Sequence, residues 1–473
     1  MWRTASQRVH SLMRNVQAVQ GTRCPCHGSG LPATSSTEDD VDYAFEMASS
    51  TVRFGRGVTA EVGQDMESLG VQRLALFTDS NIQKLRSFEV VCDSLARAGV
   101  PFEVYDRVSV EPTDKSFMDA IEFAKSREID SFLALGGGSV MDTAKAANLY
   151  ASYPDADLLD FVNAPVGKGL PVPGPVMPLI CIPTTAGTGS ETTGVAIFDY
   201  EPLQAKTGIG SRWIRPMLGI IDVNNSATMP VGVATASGFD VLCHALESYT
   251  AIPYNKRSPR PKSPVLRPAY QGANPMSDIW CMKALQSLGK HFKRSVQDQD
   301  DLDAKEAMLL ASTMAGVGFG NAGVHLAHGM SYSISGLNKR SHVRFQYRDY
   351  DTSKPLVPHG ISVCVTAPAI FETTSATNPR RHIDAAEALG ASIPDTMDRD
   401  DAENAAGIIR DTLLKYMQDL NVPMGLSEIG YRPEDIPDLV EGTLPQHRVT
   451  KLAPNQPIEA GILTTIFENS MRY

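Results

Sequence analysis

The chain has 473 residues, 42% of them hydrophobic, and a formal net charge of −11, so it is long enough for at least two domains with large cores. The acidic balance disfavours nucleic-acid binding, which needs clustered positive charge, and no apolar run reaches the roughly 18 residues of a membrane span. Seven scattered cysteines lack the spacing of a disulfide framework and indicate a reducing compartment.

The N-terminal segment has the composition of an import signal. Its first 37 residues contain four arginines and several serines and threonines, and the first acidic residue is Glu38. This pattern is typical of a transit peptide, with a disordered tail as the alternative. We therefore predict a leader over residues 1–41, import into the mitochondrial matrix, and loss of Cys24 and Cys26 on processing.

From residue 42 to about residue 225, short apolar runs alternate with segments of helical period such as FMDAIEFAKS at 117–126. This alternation predicts a parallel sheet covered by helices, and such sheets bind nucleotides at the carboxyl ends of their strands. We predict an α/β dinucleotide-binding domain here. The apolar runs are RLALFTD (73–79), FEVYD (102–106), SFLALGG (131–137) and PLICIPTT (178–185).

A glycine-rich turn follows the third run. The segment ALGGGSVMDTAK at 134–145 places three glycines between a predicted strand and a helical pattern. Such a turn lets the backbone approach a pyrophosphate, whose charge faces the amides at the helix start. The spacing is not G-x-G-x-x-G, so a plain tight turn is the alternative. Asp79, at the end of the first run, is a candidate for the ribose hydroxyls or for a helix N-cap.

A second polar turn, PTTAGTGSETT at 183–193, follows the fourth run. It offers the hydroxyls of Thr184, Thr185 and Thr188 beside two glycines. An ordinary Ser/Thr-rich connection has the same composition, but two such turns at neighbouring strand ends can hold one dinucleotide. We predict that the two turns lie side by side.

Beyond residue 225 the pattern becomes helical, and we predict an all-helical metal-binding domain over 226–473. Two long loops rich in lysine and arginine interrupt it, at 253–275 and 337–356. The clearest helical stretches are VATASGFDVLCHALESYTA (233–251), SDIWCMKALQSLGKHFK (277–293) and AKEAMLLASTMAGVGF (304–319).

Metal-ligating residue types cluster in this second half. Asp240 and His244 are four residues apart on a predicted helix, so both side chains leave the same face. His325, His328 and His359 follow. One carboxylate with three imidazoles suits zinc, iron or another first-row divalent ion. The spacing leaves His325 and His328 interchangeable as ligands, and the alternative for whichever is not a ligand is a core histidine with a backbone hydrogen bond.

Five motifs occur in order along the chain: GGGSVMDTAK, PTTAGTGSE, FDVLCHALESY, AHGMS and PHG. Together they resemble the iron-containing (group III) alcohol dehydrogenase family. The resemblance implies a dinucleotide domain followed by an all-helical metal domain, with the active site in the cleft between them. It also implies a divalent metal, with Fe²⁺ favoured over Zn²⁺, and tightly bound NAD(H) or NADP(H).

The resemblance carries roles onto individual residues. His328 is preferred to His325 because it precedes Gly-Met, as in the family motif, and Asp142 is placed near the nicotinamide end. The implied metal ligands are Asp240, His244, His328 and His359. The implied dinucleotide-binding residues are Asp79, Gly136, Gly137, Gly138, Ser139, Asp142, Thr184, Thr185, Thr188 and Lys206.

The chain departs from the family at two places. Where many members read HGMAH, this chain reads HGMSY, so Tyr332 stands at the position of a proton-relay histidine. It joins Asp142 as a catalytic candidate, with a packing role as the alternative. The second departure is the arginine-bearing insertion between His328 and His359. Arg212, Arg215 and the arginines of the two long loops are candidates for binding a substrate carboxylate.

Longer stretches, including NAGVHLAHGMSYSISG and EGTLPQHRVTKLAP, resemble family members that exchange hydride between a hydroxy acid and a 2-oxo acid. They imply oxidation of 4-hydroxybutyrate to succinate semialdehyde, coupled to reduction of 2-oxoglutarate to 2-hydroxyglutarate. The alternatives are an NAD(P)-dependent alcohol dehydrogenase that releases its cofactor each turnover and a catalytically silent binding protein. The expected partners are small acids rather than nucleic acid or membrane, and a homo-oligomer is compatible with the sequence.

Overall fold

The computed structural model describes residues 40–203, 205–338, 342–350 and 355–473. The predicted leader therefore lies almost entirely outside the described residues. Residues 42–473 form one compact unit, and the division of this unit near residue 225 remains a prediction.

A six-stranded parallel sheet organises the first half, in the order β1-β8-β5-β4-β2-β3. Its central strands are apolar on both faces and fully buried, as expected for a parallel sheet covered by helices. The fold class predicted from the sequence is confirmed. The strands of the sheet are β1 (Thr51–Phe54), β2 (Leu74–Phe77), β3 (Phe102–Tyr105), β4 (Ser131–Gly136), β5 (Leu179–Pro183) and β8 (Leu218–Ile221).

Helices connect these strands, and an antiparallel hairpin of β6 (Val195–Tyr200) and β7 (Ala205–Gly210) lies apart from the sheet. The helix that begins at Asp114 is capped by Thr113, whose hydroxyl accepts from the backbone N–H of Ser116, as its sequence favours. The helices of this half are α1 (Val62–Ser68), α2 (Arg86–Arg97), α3 (Asp114–Ser126), α4 (Gly138–Ser152) and α5 (Leu158–Phe161).

The second half of the described chain is helical, as predicted. Three long helices carry much of its core, and each extends the predicted stretch by a few residues at one or both ends. They are α6 (Val231–Thr250), α7 (Pro275–Gln297) and α8 (Leu302–Ala322). The remaining helices are α9 (Leu326–Leu337), α10 (His359–Cys364), α11 (Ala367–Thr374), α12 (Pro379–Ala388), α13 (Ala402–Asp419), α14 (Leu426–Ile429), α15 (Ile436–Thr443), α16 (His447–Thr450) and α17 (Ala460–Asn469).

Within the described ranges, no single helix is long and apolar enough to cross a membrane. Helices α8 and α9 meet the length and composition criteria only as a pair, and the pair is bent by 100° at the break between them.

Close packing of α6 against α7 depends on a glycine. Gly238 lies in α6 opposite the fully buried ring of Phe292, and a Cβ atom at this position would lie 2.1 Å from Cε2 of that ring. Because a buried ring in a close-packed core has little room to shift, the glycine sets the spacing of the two helices. Asp240, two residues further along α6, depends on this spacing for its position.

We expect Gly238→Ala to lower the free energy of unfolding by about 1–3 kcal/mol, the usual cost of overpacking a core. Gly407→Ala is the matched control, because Gly407 lies in α13 with open space around its Cα; there alanine should stabilise the helix by about 0.5–1 kcal/mol. Denaturant unfolding measures both changes. A stabilised Gly238→Ala variant would contradict the packing argument.

Candidate metal centre and cofactor cleft

The two polar turns predicted from the sequence lie side by side at the carboxyl ends of β4 and β5. The backbone N–H of Thr184 donates to the carbonyl of Gly136 over 3.0 Å. A Cβ atom on Gly138 would lie 2.5 Å from Cγ2 of Thr188, and one on Gly137 would lie 3.5 Å from Thr185. The contact between the turns therefore requires glycine at position 138.

A cavity of about 120 Å³ joins these turns to the metal-ligating residues. Gly138 and Ser139 border it where α4 begins, so the first amides of that helix are available to an anion. The other wall is formed by the helical half. The predicted site residues that line the cavity are Gly138, Ser139, Asp142, Thr188, Lys206, Asp240, His244, His328, Tyr332 and His359.

Asp142 is held firmly in this cleft. Its carboxylate accepts from the hydroxyl of Ser190 over 2.6 Å and from the backbone N–H of Ile197 over 2.9 Å. The ammonium of Lys145 lies 3.5 Å away and is fully buried. Burial lowers the pKa of Lys145, although the attraction of Asp142 opposes this shift.

Lys206 and Asp79 already have partners. Lys206 pairs with Glu111 and, over 3.3 Å, with Asp199; burial opposes the charge on Lys206, but the two carboxylates raise its pKa. Asp79 lies two residues past the end of β2, and one oxygen of its carboxylate accepts from the backbone N–H groups of Asn81 and Ile82. These hydrogen bonds are typical of a helix cap, which was the alternative role for Asp79 in the sequence analysis.

One carboxylate oxygen and three imidazole nitrogens converge in the cleft. Oδ1 of Asp240 lies 3.6 Å from Nε2 of His244, 3.4 Å from Nε2 of His328 and 3.6 Å from Nε2 of His359. For Asp240, His328 and His359 the closest ligand atoms all lie within 4.8 Å of one another. The His244 ring is stacked on the ring of Phe319, with centroids 3.9 Å apart, which sets the orientation of that imidazole.

These groups fit a divalent cation. Oδ1 of Asp240 and Nε2 of His328 are buried and have no hydrogen-bond partner among the described residues, although buried polar atoms are normally paired. Ligands about 2.1 Å from a tetrahedral metal are separated from one another by about 3.4 Å. The three separations from Oδ1 of Asp240 are close to this value, and a single ion would fit between Asp240, His328 and His359, with His244 beside them.

The electrostatics of the cluster favour an ionised carboxylate beside two neutral rings. Burial raises the pKa of Asp240, but attraction to His244, His359 and His328 outweighs it and lowers the pKa. Burial lowers the pKa of His244 to about 3 despite Asp240, and it also lowers the pKa of His359. Two imidazoles therefore present lone pairs at neutral pH, which metal ligation requires. For the third ring, burial lowers the pKa of His328, but Glu247 and Asp240 outweigh this effect and raise it to about 10.

The structure separates the two histidines that spacing left interchangeable. Nε2 of His325 lies 3.2 Å from the hydroxyl of Thr250, and the ring is fully buried among core side chains. Burial lowers the pKa of His325 to about 4. His328, one turn of α9 further on, faces Asp240. His325 is thus a core histidine, as the alternative interpretation held.

Glu247 is a residue of the site that the sequence interpretation missed. Its fully buried carboxylate accepts from the backbone N–H groups of His325, Ala327 and His328 at the start of α9. Its second oxygen pairs with Nδ1 of His328. In a neutral ring, a proton on Nδ1 shared with Glu247 would leave a lone pair on Nε2, the atom toward Asp240. The signal was present, because Asp240, His244 and Glu247 share one helical face.

The candidate carboxylate-binding arginines lie elsewhere. Arg212 and Arg215 line a separate cavity of about 310 Å³ together with Arg267. Arg215 donates to the carbonyls of Thr192 and Gly320. Within the insertion, Arg348 donates to the hydroxyl of Thr235, whereas Arg340 lies outside the described residues. None of these described arginines lines the cleft, but Arg448 lies beside it, where its Nη2 donates to the hydroxyl of Tyr332 over 2.9 Å.

Family models match both halves of this architecture. Residues 49–223 match iron-containing alcohol dehydrogenase, and residues 269–347 and 353–471 match the C-terminal domain of the Fe-containing alcohol dehydrogenase family. The chain belongs to the iron-containing alcohol dehydrogenase family. Membership implies an enzyme that acts on small molecules and uses a divalent metal and a nicotinamide dinucleotide. The metal-ligating residues and the polar turns that border the cleft are consistent with both.

Relatives match along nearly the whole chain. The mitochondrial hydroxyacid-oxoacid transhydrogenase of Bos taurus is 56% identical over 471 residues, covering 99% of both chains, and that of Homo sapiens is 54% identical with the same coverage. A probable mitochondrial hydroxyacid-oxoacid transhydrogenase of Dictyostelium discoideum is 49% identical, covering 92% of this chain and 80% of its own.

Solved structures share the fold. A 1,3-propanediol oxidoreductase superposes with a TM-score of 0.77 at 23% identity, covering 91% of this chain and 100% of its own. An archaeal halo-thermophilic alcohol dehydrogenase from a Red Sea brine pool superposes with a TM-score of 0.75 at 26% identity, covering 91% and 99%.

We expect Glu247→Ala to lower the free energy of unfolding by about 3–5 kcal/mol, because it leaves buried N–H groups and the His328 ring without their acceptor. Glu441→Ala is the control, since Glu441 is exposed on α15 and should change stability by less than about 0.5 kcal/mol. Denaturant midpoints measure the difference. Equal midpoints for the two variants would contradict the role assigned to Glu247.

Proposed function

We propose that this protein is a hydroxyacid-oxoacid transhydrogenase. It couples oxidation of 4-hydroxybutyrate to succinate semialdehyde with reduction of 2-oxoglutarate to 2-hydroxyglutarate, through a nicotinamide cofactor that stays bound. The observation that carries the catalytic part is the approach of three imidazoles to Asp240, beside the two polar turns, in one cavity. The choice of acids is supported by relatives of that name along nearly the whole chain.

Asp240, His244, His328 and His359 would hold the divalent metal, with Fe²⁺ favoured and Zn²⁺ as the alternative. A metal in this position supplies Lewis acidity toward a substrate oxygen, and a nicotinamide supplies a hydride acceptor and donor. Glu247 keeps the proton of His328 on Nδ1, so that Nε2 remains a ligand. Phe319 and Val324 give the cavity an apolar wall that limits the entry of water.

The polar turns would bind the cofactor, which is either NAD(H) or NADP(H). Backbone amides at 136–139 would bind the pyrophosphate where α4 begins, and the hydroxyls of Thr184, Thr185 and Thr188 would supply further hydrogen bonds. Asp79, two residues past the end of the neighbouring strand β2, is assigned to the ribose through the carboxylate oxygen that does not accept from Asn81 and Ile82. Lys206 is assigned to the inner end of the cofactor site. Asp142, held by Ser190 and Ile197, would orient the nicotinamide end.

The exchange needs no external oxidant. The donor loses one hydride from carbon and one proton from its hydroxyl, and the acceptor gains the same two at its keto group. Because the relatives are named mitochondrial, we also propose import into the matrix, directed by residues 1–41.

Incubation of the purified protein with 4-hydroxybutyrate and 2-oxoglutarate, without added nucleotide, tests the proposal. We expect succinate semialdehyde and 2-hydroxyglutarate in equal amounts and in large excess over enzyme. Mass spectrometry measures both products. Product formation only when NAD⁺ or NADP⁺ is added in amounts matching the product would contradict retention of the cofactor and indicate an ordinary alcohol dehydrogenase.

We expect Asp240→Asn to reduce metal retention by more than about 10-fold, because loss of a ligand should weaken binding at least as much as loss of a residue that orients one. Elemental analysis after dialysis against a weak chelator measures retained metal. The control is Asp384→Asn, which alters a partly exposed carboxylate paired with Arg399. Equal metal content in the two variants would remove Asp240 from the ligand set.

A further inference from the structure

Arg448 is a cation beside the cleft that lacks an acidic partner. It lies in the short helix α16, and no carboxylate of the described residues lies within ion-pair distance of its guanidinium. Its neighbours are two phenols: Nη2 donates to the hydroxyl of Tyr332 over 2.9 Å, and Cζ lies 5.3 Å from the ring centre of Tyr270. A half-buried guanidinium with only neutral partners is suited to receive an anion.

The two phenols connect Arg448 to the substrate cavity. Tyr270 and Tyr332 are both buried, and both line the cavity that also contains Asp240 and the three imidazoles. The Tyr332 hydroxyl accepts from Arg448, so its own hydrogen must point elsewhere. The hydrogen bonds found among the described residues include no acceptor for it. A ligand in the cavity can provide that acceptor.

The spacing along α9 suits a short hydroxy acid. His328 and Tyr332 are four residues apart on this helix, so their Cβ atoms are separated by about 5–6 Å. Both side chains therefore leave the same face of α9, and both line the cavity. A short hydroxy acid in this cavity can reach the metal ligands with its hydroxyl and Tyr332 with its carboxylate.

The other cations of the cleft are already neutralised. Lys206 pairs with Glu111 and Asp199, and Lys145 lies 3.5 Å from Asp142 with no exposed surface. With Asp240 also in the cavity wall, an incoming acid meets a cleft rich in carboxylates. A carboxylate substrate needs a cation of its own there, and Arg448 has no competing acid among the described residues.

We propose that Tyr332 and Arg448 form the subsite for the substrate carboxylate. The Tyr332 hydroxyl donates to the carboxylate, and Arg448 supplies the positive charge. This inference rests on the proposed function and assigns Tyr332 to anion binding rather than to the proton relay considered from the sequence. It also explains how a family of alcohol dehydrogenases accommodates acids here.

The donor half-reaction of the holoenzyme provides the test, because it needs no 2-oxo acid. Reduction of the bound nicotinamide is followed by its near-ultraviolet absorbance as the donor is titrated, and the half-saturating concentration is recorded. The donors are 4-hydroxybutyrate and its neutral isostere 4-hydroxybutyramide. The variants are Arg448→Met, Arg448→Lys and Tyr332→Phe, with Arg294→Met as a control, since Arg294 pairs with Asp301 on the surface of α7.

We expect Arg448→Met to raise the half-saturating concentration of 4-hydroxybutyrate by about 10- to 100-fold, the range for loss of a hydrogen bond to a charged group. The value for the amide should change by less than about 3-fold, within the modest contribution of a neutral contact. Tyr332→Phe should show the same preference with a smaller loss, Arg448→Lys should retain part of the affinity, and Arg294→Met should leave both donors unaffected.

Equal losses for the acid and the amide in Arg448→Met would overturn the proposal, because they indicate a structural role. Unchanged affinity for the acid would also overturn it. Cofactor content and thermal denaturation of each variant establish that the fold is retained, and Arg448→Lys and Tyr332→Phe test the same subsite if Arg448→Met does not fold. If wild-type enzyme reduces its cofactor with the amide but not with the acid, the proposed substrate class fails, whatever the variants show.

Discussion

The buried carboxylate of Glu247 is the contact on which the candidate metal centre depends. It joins α6 to the start of α9 by accepting three backbone N–H groups and the Nδ1 proton of His328. A charge without solvent is tolerated only when it is fully paired, so the two helix segments are held in one arrangement. That arrangement places Nε2 of His328 3.4 Å from Oδ1 of Asp240.

Charge pairing organises the rest of the cleft. Each buried cation on the sheet side has an acid beside it: Lys145 has Asp142, and Lys206 has Glu111 and Asp199. Such pairing keeps the walls rigid and leaves little free charge for a ligand. Among the described residues of the cleft, Oδ1 of Asp240, Nε2 of His328 and the Tyr332 hydroxyl have unused bonding capacity. His328 and Tyr332 both lie on α9, so the proposed metal site and the proposed acid subsite share that helix.

The sequence predicted those features that depend on local pattern. Apolar runs predicted β2, β4 and β5 because strands buried on both faces are continuously apolar, and they also predicted β3, a partly exposed edge strand. Helical period predicted α6, α7 and α8 to within a few residues. It did not resolve the β6–β7 hairpin, whose residues are only partly apolar. His328 was separated from His325 by family resemblance, whereas the structure separates them by contact: His325 lies against Thr250, and His328 faces Asp240.

By itself, the sequence determined the fold class, the positions of the two polar turns and the residue types suited to a metal. Each of these follows from local patterns of neighbouring residues. The tertiary structure decided which side chains meet. Glu247 contacts His328 across 81 positions and Arg448 contacts Tyr332 across 116, whereas Arg212 and Arg215 lie in another cavity. The spacing of residues along the chain predicts which side chains share a face of one helix or strand. Residues that are distant in sequence meet only when several elements pack together.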